Sequence, residues 1–274
     1  MVSSINCFSG LADVYNRNNL NLSQTLLRLA SGKKFQTPSD DISAYFRSQT
    51  LEQQYRKYEQ IRPDMDEWKG VMNLASTAGG EVNSSLERMQ ELSQLYNAAD
   101  APTKTAYTAE YNQILSDMTK TMTTTYYGST SLLDKTTTLK TIDLKPDAAT
   151  DGSQSMAIAP GEAVTAAHLS ALSPGGGEDI GDVGDHITDA ITDVKTFLAN
   201  VSAYSTGLQS HLNITDSIME NTKSANSSIT DIDQIQEMIT FTQEDIRNQA
   251  SLAMIAQANM SQRAMLYLYG MKGN

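Results

Sequence analysis

The chain has 274 residues, room for one or two ordinary domains, and a formal charge of −12. That balance argues against free nucleic acid as a partner, because a phosphate backbone repels an acidic surface. Aromatics make up only 7% while Ser, Thr, Asn, Gln, Ala and Met are plentiful, a composition that suits long helices meeting through small residues better than one thick core.

No apolar run is long enough to span a membrane. The opening stretch, "MVSSINCFSGLADVYNRNN", lacks a basic start, a continuous apolar run and a small-residue cleavage site. It is therefore not expected to act as a general secretory signal, so the protein stays inside or leaves by another route. Cys7 is the single cysteine, read as a small apolar residue on a helix face.

In the first segment Phe8, Tyr15, Leu22 and Leu29 fall seven apart, with Leu11, Ala12 and Leu26 beside them. This is the period of a helix packing along another helix. The flanking residues are mostly Asn, Ser, Thr and Gln, and a neutral outer face points to neighbours on several sides. Gly32 then stops the helix as a left-handed cap, and Pro38 forbids helix through Thr37. Ser39, Asp40 and Asp41 supply an N-cap and first-turn acids for the next helix, from about 40 to 98. Inside it, Pro63 predicts a kink or short break and Gly79-Gly80 a weak spot. "NAADAPT" predicts a turn, and a helix over about 103–124 is expected to pack antiparallel to its predecessor.

Beyond "TTTYYGSTSLLD" the period changes to two, and 138–160 reads as a β-hairpin with an Asp151-Gly152 turn in a long connection. A short helix or turn and a flexible glycine stretch follow. From 134 to 193 the chain carries eleven acids and three bases, so this middle is expected to be a solvated surface. From about 183 to 270 the pattern is helical again, and its end is nearly uncharged like the beginning.

Several sharper readings fail on spacing. A phosphate loop at Gly32-Lys33 needs a glycine where Leu27 stands and Ser or Thr where Lys34 stands. Asp40 and Asp41, adjacent on a helix, point about 100° apart and suit capping rather than paired catalysis. Glu178, Asp179, Asp182 and Asp185 lack the spacing of a calcium loop and read as solvated, dipole-favouring acids. His168, His186 and His211 show no metal-ligand spacing and read as surface or hinge residues. The Met-rich end, with Met254, Met260, Met265 and Met271, lacks the basic face of a membrane-surface helix. The Ser/Thr-rich stretch from Thr121 to Ser131 reads as a polar turn, or as a place for O-linked sugars if it faces outward. No cofactor, metal or catalytic residue is expected.

Four pieces in order resemble bacterial flagellin: "LASGKKFQTPSDD", "SLERMQEL", "YYGSTSLLD" and "ITDIDQIQEMITFTQEDIRNQASLAMIAQAN". The resemblance runs over roughly 1–135 and 183–270. It implies a mainly α fold: a long antiparallel coiled-coil rod with a small β-hairpin and paired N- and C-terminal helices. It implies a core helix and spoke loop over 1–38 and rod over 39–135. A hairpin with a short acidic outer insert would occupy 136–182, rod 183–235, and a second core helix 236–274. The large outer domains of many flagellins would sit where only this short insert stands. In this reading Phe8, Leu11, Tyr15, Leu22, Leu26 and Leu29 meet Ile246, Ala250, Ala253, Ala258, Leu266 and Leu268 as inner contacts. Gly32, Pro38, Ser39, Asp40 and Asp41 mark the spoke between core and outer shell.

The implied function is a subunit that assembles with itself into an extracellular flagellar filament. It would leave by the flagellar type III route and meet hook-associated proteins, cap proteins and an export chaperone, without membrane insertion. Where the family carries an arginine read by a vertebrate innate receptor, this chain has Gln90, so strong activation of that receptor is not implied. The alternatives are a hook–filament junction protein, which shares the Pro-Ser-Asp-Asp turn, and a secreted adhesin on the same fold. An enzyme in the middle region lacks the His-Glu-x-x-His signature of a metalloprotease.

Overall fold

The computed structural model describes residues 2–133, 138–144, 155–174 and 179–270; within these, the side chains of 2–9, 11, 143, 262, 265, 266 and 268–270 are not described. The Asp151-Gly152 turn, Glu178, and the side chains of Cys7, Phe8, Leu11, Met265, Leu266 and Leu268 therefore lie outside the described residues. The fold is mainly helical, with α1 Val2–Ser31, α2 Ile42–Ala98, α3 Ala101–Thr124, α4 Ala166–Ala171, α5 Gly184–Thr230 and α6 Gln234–Gly270. Two small hairpins interrupt it: β1 Tyr126–Tyr127 with β2 Thr130–Ser131, and β3 Lys140–Asp143 with β4 Ser155–Ile158. The chain forms two compact units, one of residues 53–221 and one of residues up to 52 with those from 222 onward.

In the 53–221 unit, α2 and α5 run antiparallel. Arg62 Nε donates to Asp216 at 2.6 Å, Lys69 Nζ donates to Gln209, and Gln90 Nε2 donates to Thr188 at 3.2 Å. The partner numbers fall as the α2 numbers rise, which fixes one register along the contact. Between these bonds a Cβ on Gly79 would lie 3.0–3.2 Å from Leu198 and Phe197. The expected weak spot is instead a packed contact, where a side chain on Gly79 would crowd Phe197 and Leu198. Asp100 caps α3 by accepting from Thr103 N, and α3 folds back on α2, with Arg88 Nη2 2.7 Å from Glu110 and Lys104 over the Tyr96 ring.

Residues at seven-residue spacing on α2 fill the interior: Met65, Met72 and Leu86, with Ala75, Val82 and Met89 beside them, all at 0% exposure. They pack with Tyr111, Met118 and Met122 of α3 in one cluster, and with Phe197, Val201 and Leu208 of α5 in another. Each large side chain so buried stabilises the unit by about 1.5–3 kcal/mol. The Tyr111 hydroxyl donates to Leu172 O at 2.7 Å, and burial pushes its phenol pKa up.

Pro63 does not break α2, which runs through it unbroken. Proline leaves the carbonyl four residues earlier without a donor; that residue, Glu59, is exposed, as Pro63 is, so water can serve it. The threonine-rich end of α3 turns its hydroxyls back onto the helix, with Thr121, Thr124 and Thr125 donating to Asp117 O, Lys120 O and Thr121 O. The β3–β4 register pairs Thr141 with Ala157 and Ile142 with Met156. Alternation buries Ile142 and Ile158 and leaves Thr141 and Ala157 exposed.

The expectation of a solvated middle needs correcting. Ile142, Ile158, Ala163, Val164, Leu172 and Ile180 are all at most 1% exposed and belong to the core, while Asp179, Asp182 and Asp185 stay outside. Charge counting reads only the outward half of such a strap. His168 is likewise no free surface group: it is half-buried, with Nδ1 2.6 Å from Asp193 Oδ2. Burial acts to raise the Asp193 pKa, but hydrogen bonds from His168 and Thr165 outweigh it and hold the carboxyl below its usual range. Asp182 accepts from Asp179 N, an intra-loop turn rather than a ligand set.

The helical stretch after 183 is also divided. Asp233 accepts from the N–H groups of Ile235 and Gln236 and starts a new helix, α6.

Candidate assembly interface

The terminal unit is built on α1 and α6, which lie antiparallel. Asn18 Nδ2 donates to Ser251 Oγ at 3.0 Å, and Arg28 Nη1 lies 3.9 Å from Glu237 Oε1. At the end of the pair, Lys34 N donates to Thr230 O at 2.6 Å and Ile232 N to Gly32 O at 3.0 Å.

The loop between α1 and α2 is held by its own side chains. Gly32 has φ +72, and its N–H donates to Arg28 O at 2.8 Å. That left-handed conformation strains any residue with a Cβ. The adjacent aspartates divide the work. Asp41 accepts from Ala44 N at 2.9 Å and caps α2, while Asp40 Oδ2 accepts from the N–H groups of Gln36 and Thr37. Those two backbone bonds lower the Asp40 pKa, and hydroxyls from Ser227 and Thr230 lower that of Asp231. Pro38 and Ser39 are exposed; Phe35 is buried and meets Tyr45 edge-on at 6.3 Å.

The seam between α1 and α6 follows a strict three-four spacing. On α1 it takes Tyr15, Asn18, Leu22, Thr25 and Leu29; on α6 it takes Glu237, Phe241, Glu244, Asn248, Ser251, Ile255 and Ala258. Its most buried members are polar: Ser251 at 2%, Thr25 at 5% and Glu244 at 8% exposure.

At 100° per residue, the opposite face of α1 carries Leu20 and Leu27, and that of α6 carries Ile239, Ile246, Ala253 and Met260. These are exposed, Leu20 at 64%, Ile246 at 61% and Met260 at 66%. The seam thus mixes polar with apolar residues, while large apolar side chains stand exposed on the outer faces.

Of the residues expected at the inner contact, Tyr15, Leu22, Leu29 and Ala258 are half-buried in the seam. Leu26, Ile246, Ala250 and Ala253 are not brought to it and stand exposed, and the side chains of Phe8, Leu11, Leu266 and Leu268 lie outside the described residues. A search for apolar residues misses Asn18, Thr25, Glu237, Glu244, Asn248 and Ser251, although they hold the same heptad positions. Among the described residues no group of three or more His, Cys, Asp or Glu side chains could hold a metal, and no helix is long and apolar enough to cross a membrane.

This is a helical protein whose terminal helices turn apolar surface away from their own partner. Family comparison agrees with it at both ends: residues 6–138 match the bacterial flagellin N-terminal helical region, and residues 185–268 match the C-terminal helical region. The chain is 30% identical to a flagellin of Halalkalibacterium halodurans, over 91% of this chain and 93% of that one. It is 25% identical to a flagellin of Listeria innocua, over 92% and 93%. A flagellar filament 33 kDa core protein of Treponema phagedenis is 22% identical over 91% and 93%. The chain belongs to the bacterial flagellin family.

Proposed function

We propose that the chain is the structural subunit of a bacterial flagellar filament: copies assemble outside the cell into a helical polymer that serves motility. The observation that carries this reading is the pair of apolar stripes facing away from the α1/α6 seam. Left in water, each large side chain forgoes about 1.5–3 kcal/mol of burial. Neighbouring copies can cover them, and head-to-tail contacts that do not close on themselves generate a helix rather than a ring. The printed names of the relatives, flagellin and filament core protein, support the same reading.

In this account 1–38 and 236–274 form the filament core, 39–135 and 183–235 the rod, and 136–182 the hairpin with its short insert. Leu26, Ile246, Ala250 and Ala253 face other copies, with Phe8, Leu11, Leu266 and Leu268 extending the contact toward the chain ends. Tyr15, Leu22, Leu29 and Ala258 align α1 with α6, and Gly32 to Asp41 form the spoke. Hook-associated and cap proteins meet the polymer at its ends. An export chaperone covers the apolar terminal surface before assembly, and export follows the flagellar type III route without a cleaved signal. The role is structural rather than enzymatic.

Electron microscopy of seeded or salted protein tests this, beside a Leu27→Glu, Ile246→Glu variant. Long filaments from the native chain and none from the variant are expected. A native chain that stays monomeric, or caps seeds without lengthening them, overturns the reading.

A further inference from the structure

The short helix α4 is one that its own sequence does not sustain. It spans six residues, and isolated helices shorter than about 12–15 residues are marginal in water. None of its residues is buried; the apolar anchors of this segment, Val164 and Leu172, flank it. Two side chains from longer helices hold its ends. At the start, Asp193 of α5 sets one oxygen, Oδ2, 3.1 Å from Thr165 N and 2.6 Å from His168 Nδ1, and accepts from both. At the far end the Tyr111 hydroxyl of α3 donates to Leu172 O. Asp193 is half-buried, and hydrogen bonds to an ionised carboxylate are roughly twice as strong as those to a neutral group.

We propose that Asp193 is a latch: its ionised carboxylate keeps α4 folded, and a proton placed on it releases α4 while the body formed by α2, α3 and α5 stays closed. Hydrogen bonds hold the Asp193 carboxyl below its usual range, so the latch is complete above the ordinary carboxylate value of about 4 and is lost as pH falls through the lowered value. From α4 the titratable group facing it is His168, and a charged imidazole still donates to the carboxylate, so protonation there leaves the latch closed. From α3, Tyr111 reaches the other end of α4 and burial keeps its phenol uncharged. Glu162 on the preceding strand exit, Asp189 and Lys195 on α5, and the charged groups of α2 add nothing to the displacement of the Asp193 pKa. In the filament reading α4 lies within the outward insert, 136–182, so acid resets the surface the polymer shows without opening the rod. That consequence rests on the filament reading; the latch itself does not.

The test is amide hydrogen exchange on the full chain kept below its assembly concentration, read from Leu169 to Leu172 and, for reference, from Val82 to Leu92 of α2. In Asp193→Asn, which keeps the shape and loses the charge, the α4 amides exchange about tenfold faster at pH 7, because two charge-assisted bonds become ordinary ones, and α2 is unchanged. In the native chain the same rise comes only on acidification from pH 7 to about 3, after correction for the intrinsic pH dependence, and Asp193→Asn shows no further rise. Tyr111→Phe removes the bond at the far end, so it speeds α4 exchange yet keeps the acid response. Asp189→Asn, at an exposed position one turn away on α5, matches the native chain. The inference is overturned by an Asp193→Asn chain whose α4 exchanges as in the native one at pH 7, by one that keeps the acid response, or by one in which α2 opens together with α4. Because this readout needs no filament, the two readings fail separately: an acid-released α4 with no polymer from the native chain defeats the filament reading alone, whereas native filaments with an α4 indifferent to Asp193 defeat this inference alone.

Discussion

Between residues 53 and 221, seven-residue spacing takes Met65, Met72 and Leu86 into the interior and leaves polar groups outside. In the terminal unit the same spacing puts Glu237, Glu244 and Ser251 against the partner helix and turns Ile239, Ile246 and Met260 outward. Both stretches are amphipathic helices, yet the first buries its apolar residues fully within one chain, while the second half-buries some and leaves Ile239, Ile246 and Met260 exposed. The first unit completes its core inside the chain; in the proposed filament the second completes it between copies. A heptad pattern therefore reports that a face is structured, and burial decides which face meets the protein's own chain.

The largest expected effect separates the units by size. Leu86→Ala opens a cavity and costs about 2–5 kcal/mol in urea unfolding. Leu27→Ala, at an exposed position on α1, changes the unfolding of the isolated chain by less than about 0.5 kcal/mol, yet raises the concentration needed for filament growth, read by sedimentation. Equal unfolding costs would erase the distinction. The Gly79 contact with α5 gives the next effect. Gly79→Val costs about 1–3 kcal/mol by crowding Phe197 and Leu198. Gly80→Ala, with nothing within 4 Å of its Cβ, gains about 0.5–1 kcal/mol of helix propensity. Thermal unfolding shows whether the two signs differ.

Gly32→Ala puts a Cβ at φ +72 and costs about 1–2 kcal/mol, seen as faster amide exchange at the end of α1. The smallest effect is a pH dependence of the loop. Asp40 and Asp231 have lowered pKa values in the folded chain, so their stabilisation is complete above the ordinary carboxylate value of about 4. It is lost as pH falls from there through their lowered values. Exchange at Gln36 and Thr37, corrected for its intrinsic pH dependence, then rises on acidification while α2 between Val82 and Leu92 stays protected.

The sequence makes much of this legible where physics acts locally. The Gly32 stop, the Asp100 start and the β3–β4 alternation follow from single residues and short periods. The seven-residue run of Tyr15, Leu22 and Leu29 lies half-buried on the α1 side of the seam. The α6 side is legible only in part: Ala258 lies in the seam with Phe241 and Ile255, but Ile246, Ala250 and Ala253 stand outside it while Glu237, Glu244 and Ser251 lie within. The Asp233-x-x-Gln236 capping pattern is a local signal for the start of α6, but continuous helical periodicity masks it. Pro63 makes no break in α2, where the carbonyl it leaves without a donor belongs to exposed Glu59, and Ile142, Val164 and Ile180 are hidden by the acids around them.

Methionine supplies the most direct measurement, since it stands in both units. Met238, Met254 and Met260 are 50–66% exposed on α6, while Met65, Met72 and Met89 are at 0%. Peroxide oxidation followed by mass spectrometry, on the isolated chain and on the assembled polymer, reads both sets at once. The account predicts rapid oxidation of the α6 methionines in the isolated chain, strong protection of them in the polymer, and slow oxidation of the other three throughout. Equal oxidation of Met238, Met254 and Met260 in both states would contradict it.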